Sequence, residues 1–139
     1  MTRHSSHEVI IIGGGPAGLA AAAQLVRLGI DDVVVIEREQ QAGGVPRHCG
    51  HHGFGWREFR RILAGPEYAR RLVASTKGID LRTGATALSL EANGRVRVLT
   101  PEGIRLLEGQ CVLLALGTRE TPRAARGGSG TRPWGVFTT

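Results

Sequence analysis

The sequence predicts an α/β fold: a parallel sheet with a helical layer on one face and an inserted antiparallel β-meander. Three observations point to it. The short β-branched run Val9–Ile12 is followed by a glycine turn, a helical pattern and a second apolar run, Val33–Ile36. Strand, helix and strand within about 30 residues make a βαβ unit, which should be parallel and right-handed. Asn93-Gly94 sits between two strand-like segments and is a strong hairpin signal.

Each element has its own reason. Continuous apolar runs such as Val9–Ile12 and Val33–Ile36 suit strands buried on both faces. Pro16 is a residue favoured at the first helical position, and Leu19, Ala22, Ala23 and Val26 follow the spacing of one helix face. Gly29 is a natural C-terminal stop. The segment Gln40–Gly55 reads as a loop, with glycines at 43, 44, 50, 53 and 55 and histidines at 48, 51 and 52. Arg57–Leu63 and Glu67–Thr76 read as helices separated by a Gly65-Pro66 break, with Tyr68 and Leu72 on one buried face. Ile79–Arg82 is a short strand. Ala85–Glu91 and Arg95–Thr100 form the hairpin, and Pro101-Glu102-Gly103 turns the chain into Ile104–Leu107. Cys111–Leu116 is expected to be a last buried strand, ending at Gly117. From Thr118 onward there is no clear periodicity. No repeat or linker divides the chain, so residues 1–139 are expected to form a single domain.

Composition excludes several classes. Twenty-one glycines without a period of three rule out collagen, and an apolar fraction of 41% argues against disorder. No apolar stretch approaches the roughly 20 residues needed to span a bilayer. Met1–Glu8 is polar and is not a signal peptide. Two cysteines, Cys49 and Cys111, make no disulfide framework, which points to a reduced, cytoplasmic protein. The net charge of +6 raises nucleic-acid binding as an option. Its excess, however, lies in the arginine cluster Arg57–Arg71 and in the last segment, and neither is a run of basic residues interleaved with aromatics. Solvated helix faces account for it better, so no nucleic-acid partner is expected.

Gly13-Gly14-Gly15-Pro16-Ala17-Gly18 fits G-x-G-x-x-G and lies where that pattern has a mechanism, between a strand and a helix. Gly13 allows the tight turn. Gly15 leaves room for a pyrophosphate to approach the backbone. Gly18 lets the helix pack closely. The helix N-terminus offers free N–H groups and positive partial charge. Glu37 ends the second strand, where a carboxylate can accept hydrogen bonds from ribose hydroxyls. Together these predict a Rossmann-like, FAD/NAD(P)-binding ββα sandwich. A carboxylate at position 37 disfavours a 2′-phosphate, although Arg38 could meet one. NAD and FAD remain alternatives on these grounds alone.

Ile12-Gly-Gly-Gly-Pro-Ala-Gly-Leu19 resembles the FAD-binding opening of the two-dinucleotide-binding flavoproteins, the class that includes pyridine nucleotide-disulfide oxidoreductases. Gly43-Gly44 is similar to the glycines beside the FAD pyrophosphate in that class. Cys111-Val-Leu-Leu-Ala-Leu-Gly117 resembles its strand ending in Ala-Thr-Gly, with Leu116 in place of the threonine. Gly44-Val-Pro-Arg-His-Cys-Gly-His51, Gly117-Thr-Arg-Glu-Thr-Pro-Arg123 and Gly135-Val-Phe-Thr-Thr139 look like segments of the FAD subunits of bacterial amine-oxidising dehydrogenases, the opine oxidase, hydrogen cyanide synthase and sarcosine oxidase group.

The resemblance implies an FAD-dependent oxidoreductase that oxidises a small amine or amino-acid-type substrate by hydride transfer to flavin. It also implies other oxidoreductase subunits, or a homo-oligomer, as partners. The alternative is a dinucleotide-binding module without turnover of its own. By position, Gly13, Gly14, Gly15, Pro16, Ala17 and Gly18 would hold the pyrophosphate, and Glu37 the ribose. Arg38 would border the adenosine, and Gly44 and Val45 would run beside the extended cofactor. The backbone of Ala87 would meet adenine, and Ala115 and Gly117 would close over the cofactor. The family architecture continues well beyond 139 residues, so the chain is expected to represent its N-terminal portion.

The polar loop supports two readings of Arg47 and His48. They line the flavin or phosphate region, or they belong to a loop held by its own hydrogen bonds. The spacing of His48, Cys49 and His52 does not match a closed zinc site, so no metal is expected. A disulfide-reductase mechanism needs two neighbouring cysteines and finds one. Cys111 is expected in the core. No residue is assigned a catalytic role.

Overall fold

The structure is a computed structural model that describes residues 4–118. Its elements run β1 (His4–Ile12), α1 (Pro16–Arg27), β2 (Val33–Ile36), a single 3₁₀ turn (Val45–His48), β3 (His52–Phe54), α2 (Trp56–Phe59), β4 (Leu63–Ala64), α3 (Gly65–Ala74), β5 (Asp80–Arg82), β6 (Thr86–Leu90), β7 (Arg95–Thr100) and β8 (Gly103–Leu114). The main sheet has the order β5-β2-β1-β8-β7-β6, and β3 and β4 form a separate ribbon. Pairings among β5, β2, β1 and β8 are parallel, and β8-β7-β6 is an antiparallel meander. This is the predicted α/β architecture.

The alternation of side chains along β1 and β2 explains the two buried faces. Val9, Ile11, Val33 and Val35 point to one face, where Ala22 of α1 packs on them. Ile10, Ile12, Val34 and Ile36 point to the other and meet Ala85, Val96, Val98 and Leu107, most of them from the meander. A third cluster joins α1 to α3 through Leu19, Leu63, Tyr68 and Leu72. Gly29 ends α1 as expected. It has φ +86°, its N–H donates to the Val26 carbonyl, and the Ile30 N–H donates to the Leu25 carbonyl. That pair of bonds is a Schellman cap.

Four expectations are corrected. Arg57–Leu63 is not a helix. Only the single turn Trp56–Phe59 forms, Arg60 closes it in the left-handed region at φ +53°, and Leu63–Ala64 becomes a strand against His52–Phe54. Gly65-Pro66 does not separate two helices; it opens α3 with proline in the first turn. Ile104–Leu107 and Cys111–Leu116 are not two strands, because Gly109 lies inside one continuous strand pairing with β1 from Leu106 to Leu114. Cys111 is exposed, as are Leu113, Leu114 and Leu116. The physical reason is that β7 ends opposite Glu108, so among the described residues the last part of β8 pairs with β1 alone. The first strand also begins earlier than the apolar run Val9–Ile12, since His4–His7 extend β1 beside Leu106–Gly109.

Candidate functional site

The site lies at the C-terminal end of β1, where the chain leaves the sheet and enters α1. Gly13 has φ +116°, and a side chain there would begin 2.2 Å from the Ala115 carbonyl oxygen. Both neighbours are bonded in place: the Gly13 N–H donates to the Ile36 carbonyl at 2.8 Å, and the Ala115 N–H to the Ile12 carbonyl at 2.8 Å. Only glycine fits this position. At Gly18 a side chain would begin 1.9 Å from the Gly13 carbonyl oxygen, so helix and turn touch through bare backbone.

Gly15 differs from both. The nearest atom to the place its first side-chain carbon would take is the Gly44 Cα, 3.8 Å away. Gly15 also caps α1, with Pro16 following, no side chain capping the helix and no acid in its first turn. The first N–H groups of a helix have no partners within it, and among the described residues no side chain caps them. The open face of Gly15 and the uncapped N-terminus therefore form a cradle that suits a phosphate.

Glu37 is buried, 8% exposed. Its Oε2 accepts the Gly14 N–H at 2.8 Å and its Oε1 accepts the Glu39 N–H at 2.8 Å. Each oxygen keeps further lone pairs for a hydroxyl donor. Its backbone is fixed as well, donating to the Arg82 carbonyl and accepting from Ala85. The carboxylate is thus clamped to the glycine turn. Gly14 is tightly fitted beside it, since a side chain there would begin 2.9 Å from the Glu37 Cβ.

The second glycine pair completes the cradle. The Gly43 N–H donates to the Gly14 carbonyl at 2.7 Å, and Gly44, at φ +60°, lies against Gly15. Val45 follows on the surface. The spacing of Gly43-Gly44 signalled the approach, but the bond from Gly43 was not foreseen. Arg47 is turned into its own loop: it bonds the Gln41 carbonyl, and its Nη2 lies 2.7 Å from Glu39 Oε2 and 3.2 Å from His48 Nε2. These bonds favour the reading of a self-held loop for Arg47. Glu39 and Gln41 were missed because nothing in their spacing marks them as its partners.

Of the other expected site residues, Arg38 is exposed beside Glu37 and Ala87 packs half-buried against the core face of the sheet. Ala115 borders Gly13, and Gly117 is exposed with φ +68°. The fold thus gathers residues 13–18, Glu37, Gly43, Gly44 and Ala115 in one place. Among the described residues no group of three metal-ligating side chains exists, and no helix is long and apolar enough to cross a membrane. Arg119, Glu120 and Arg123 lie outside the described residues.

Comparison with known proteins agrees with this geometry. Residues 6–60 match the family described as FAD binding domain. The chain is 33% identical over 119 residues to an opine oxidase subunit of Rhizobium meliloti (strain 1021), covering 83% of this chain and 25% of that protein. It is 27% identical over 133 residues to the corresponding opine oxidase subunit of Agrobacterium tumefaciens (strain Ach5), covering 87% and 26%. Among solved structures, L-proline dehydrogenase from P. horikoshii superposes with a TM-score of 0.75 at 23% identity, over 88% of this chain and 25% of that one. The chain spans about a quarter of the length of the curated relatives it matches.

Proposed function

Starting from a chain that carries an FAD-binding domain of the FAD-dependent oxidoreductase class, we propose that it serves an enzyme oxidising an amine or amino-acid-type substrate. The reading is supported by the likeness to the opine oxidase subunits and by the cradle at Gly15. The cradle carries it: an open glycine face, an uncapped helix N-terminus and a clamped carboxylate match the phosphate and ribose of a dinucleotide.

FAD when bound supplies the hydride-accepting ring, and the protein supplies position and electrostatics. The N–H groups of Ala17 and Gly18 would receive the pyrophosphate, with Gly13, Gly14 and Pro16 shaping the approach. Glu37 would accept the ribose hydroxyls, and the clamp from Gly14 and Glu39 holds its oxygens ready before binding. Arg38 would border the adenosine and the Ala87 backbone the adenine. Gly44 and Val45 would run beside the cofactor, with Ala115 and Gly117 closing over it. Arg47 would act at one remove, by fixing the loop that carries Gly43 and Gly44.

The test is reconstitution of the purified protein with FAD, followed by anaerobic addition of amines, amino acids and opines. Retained flavin colour that bleaches with one of these compounds is the expected result. Retained colour with no bleaching would leave the cradle standing and replace the enzymatic reading by that of a binding module. The relatives, themselves named as subunits, also point to further subunits as partners of the complete enzyme, to be tested by co-purification.

A further inference from the structure

At the opposite end of β1 from the glycine turn, Ser5 and His7 alternate onto the same face of the strand, as residues two apart must. The Ser5 hydroxyl lies 3.2 Å from His7 Nε2, and His7 Nδ1 lies 2.8 Å from Asp32 Oδ1. A proton on Nδ1 satisfies both contacts: the ring donates to the carboxylate and accepts from the hydroxyl. Asp32 is held on its other oxygen by the Glu8 N–H at 3.3 Å, and its carbonyl accepts the Val9 N–H. The His7 side chain is only 11% exposed. Nucleophile, base and orienting carboxylate therefore stand in the order and at the distances that activate a serine.

Ser5 also faces a cavity of about 360 Å³, lined in addition by His4, Arg82, Thr100, Glu102 and Arg105. Arg82 Nη2 is 3.5 Å from His7 Nε2, and Asp80 fixes its guanidinium at 2.6 Å. Arg105 Nη2 stands 3.9 Å from Glu102 Oε2, three residues before it in the chain. Two arginine forks in so small a space suit an acyl group carrying a carboxylate.

We propose that Ser5, His7 and Asp32 form a second, hydrolytic site, independent of the FAD cradle, that cleaves small esters bearing an anionic group. Ser5 Oγ attacks the ester carbonyl carbon while its proton passes to His7 Nε2. The carbon–oxygen bond to the leaving alcohol breaks, and that proton goes to the departing oxygen. Water, the second substrate, then attacks the acyl-serine and loses a proton to His7. The acid leaves, and the Ser5 hydroxyl is restored by the same proton. Asp32 orients the imidazole, and Arg82 faces the oxyanion.

The experiment uses the full chain reconstituted with FAD. A fluorophosphonate probe and two p-nitrophenyl esters are offered, a neutral acetate and a monoester of a short dicarboxylic acid. The expected result is a covalent adduct on Ser5 by peptide mass spectrometry, and faster hydrolysis of the anionic ester. His7→Gln and Asp32→Asn should slow both by about 10²–10⁴-fold, the usual contribution of a general base, with FAD retention unchanged. Arg82→Gln should remove the preference for the anionic ester. No adduct on Ser5, or an adduct formed equally fast in His7→Gln, would overturn the proposal. Equal rates on the two esters would overturn the anionic specificity.

Discussion

Glu37 and Gly15 make complementary contributions to the cradle, and each gives a separate prediction. Glu37 is the proposed acceptor for the ribose, so Glu37→Ala should weaken FAD binding by about 1.5–3 kcal/mol, the range for a hydrogen bond to a charged group. Isothermal titration would show this as a roughly 10- to 150-fold rise in Kd, and the melt should fall as well, because the buried Gly14 N–H loses the acceptor that Glu37 supplies. Gly15 has open space before it, so Gly15→Val should leave the thermal midpoint nearly unchanged yet abolish FAD binding, since the side chain would occupy the phosphate's place. Gly18 gives the opposite outcome. Its first side-chain carbon would lie 1.9 Å from a backbone oxygen, so Gly18→Val should destabilise the apoprotein itself, by more than about 3 kcal/mol, as severe overpacking does. Circular-dichroism melts of the three variants distinguish an empty position from a packed one.

At the scale of elements, Leu19 fastens α1 to α3 and is fully buried among Leu63, Tyr68 and Leu72. Leu19→Ala should cost about 2–5 kcal/mol in chemical denaturation, the range for such a cavity. Two surface pairs add a pH dependence. The hydrogen bond from Arg71 holds the Glu67 carboxyl below its ordinary value of 4.5, and that from Arg95 does the same for Glu108. A carboxyl lowered on folding stabilises the protein above its ordinary value and loses that contribution as pH falls through the lowered one. The melting temperature should therefore decline below about pH 4.5, modestly because both groups are exposed, and less steeply in Arg71→Gln.

The elements also show what a sequence can and cannot disclose. The glycine turn was legible because three glycines, a helix-opening proline and an acid at a strand end each follow from local geometry. The meander was legible through Asn93-Gly94. The β3-β4 ribbon was not, because Phe54, Phe59 and Leu63 gather with Tyr68 and Leu72 around the distant Leu19 of α1, and that packing overrides the helical spacing of Arg57–Leu63. Nor was the length of β8, since Gly109 reads as a break but is required small: a side chain there would begin 2.9 Å from the Cys111 carbonyl oxygen. Arg47 carried the charge of a phosphate ligand, and only the fold reveals that Glu39 and Gln41 take it.

For the whole molecule, the sheet places two functional ends of β1 about 25 Å apart at the usual rise of a strand. One end carries the cradle between the turn, Glu37 and the second glycine pair. The other carries Ser5 and His7. Binding of FAD to the native state alone should raise stability by about 2.7 kcal/mol at a concentration about 100-fold above Kd. The central claim, that the turn at Gly13–Gly18 with Glu37 is built for FAD, is tested most directly by absorbance of the purified protein after FAD reconstitution and desalting. Retained visible flavin bands in the parent chain, lost in Gly15→Val while its melt stays unchanged, are the predicted result. A colourless parent, or a Gly15→Val variant as yellow as the parent, would contradict it.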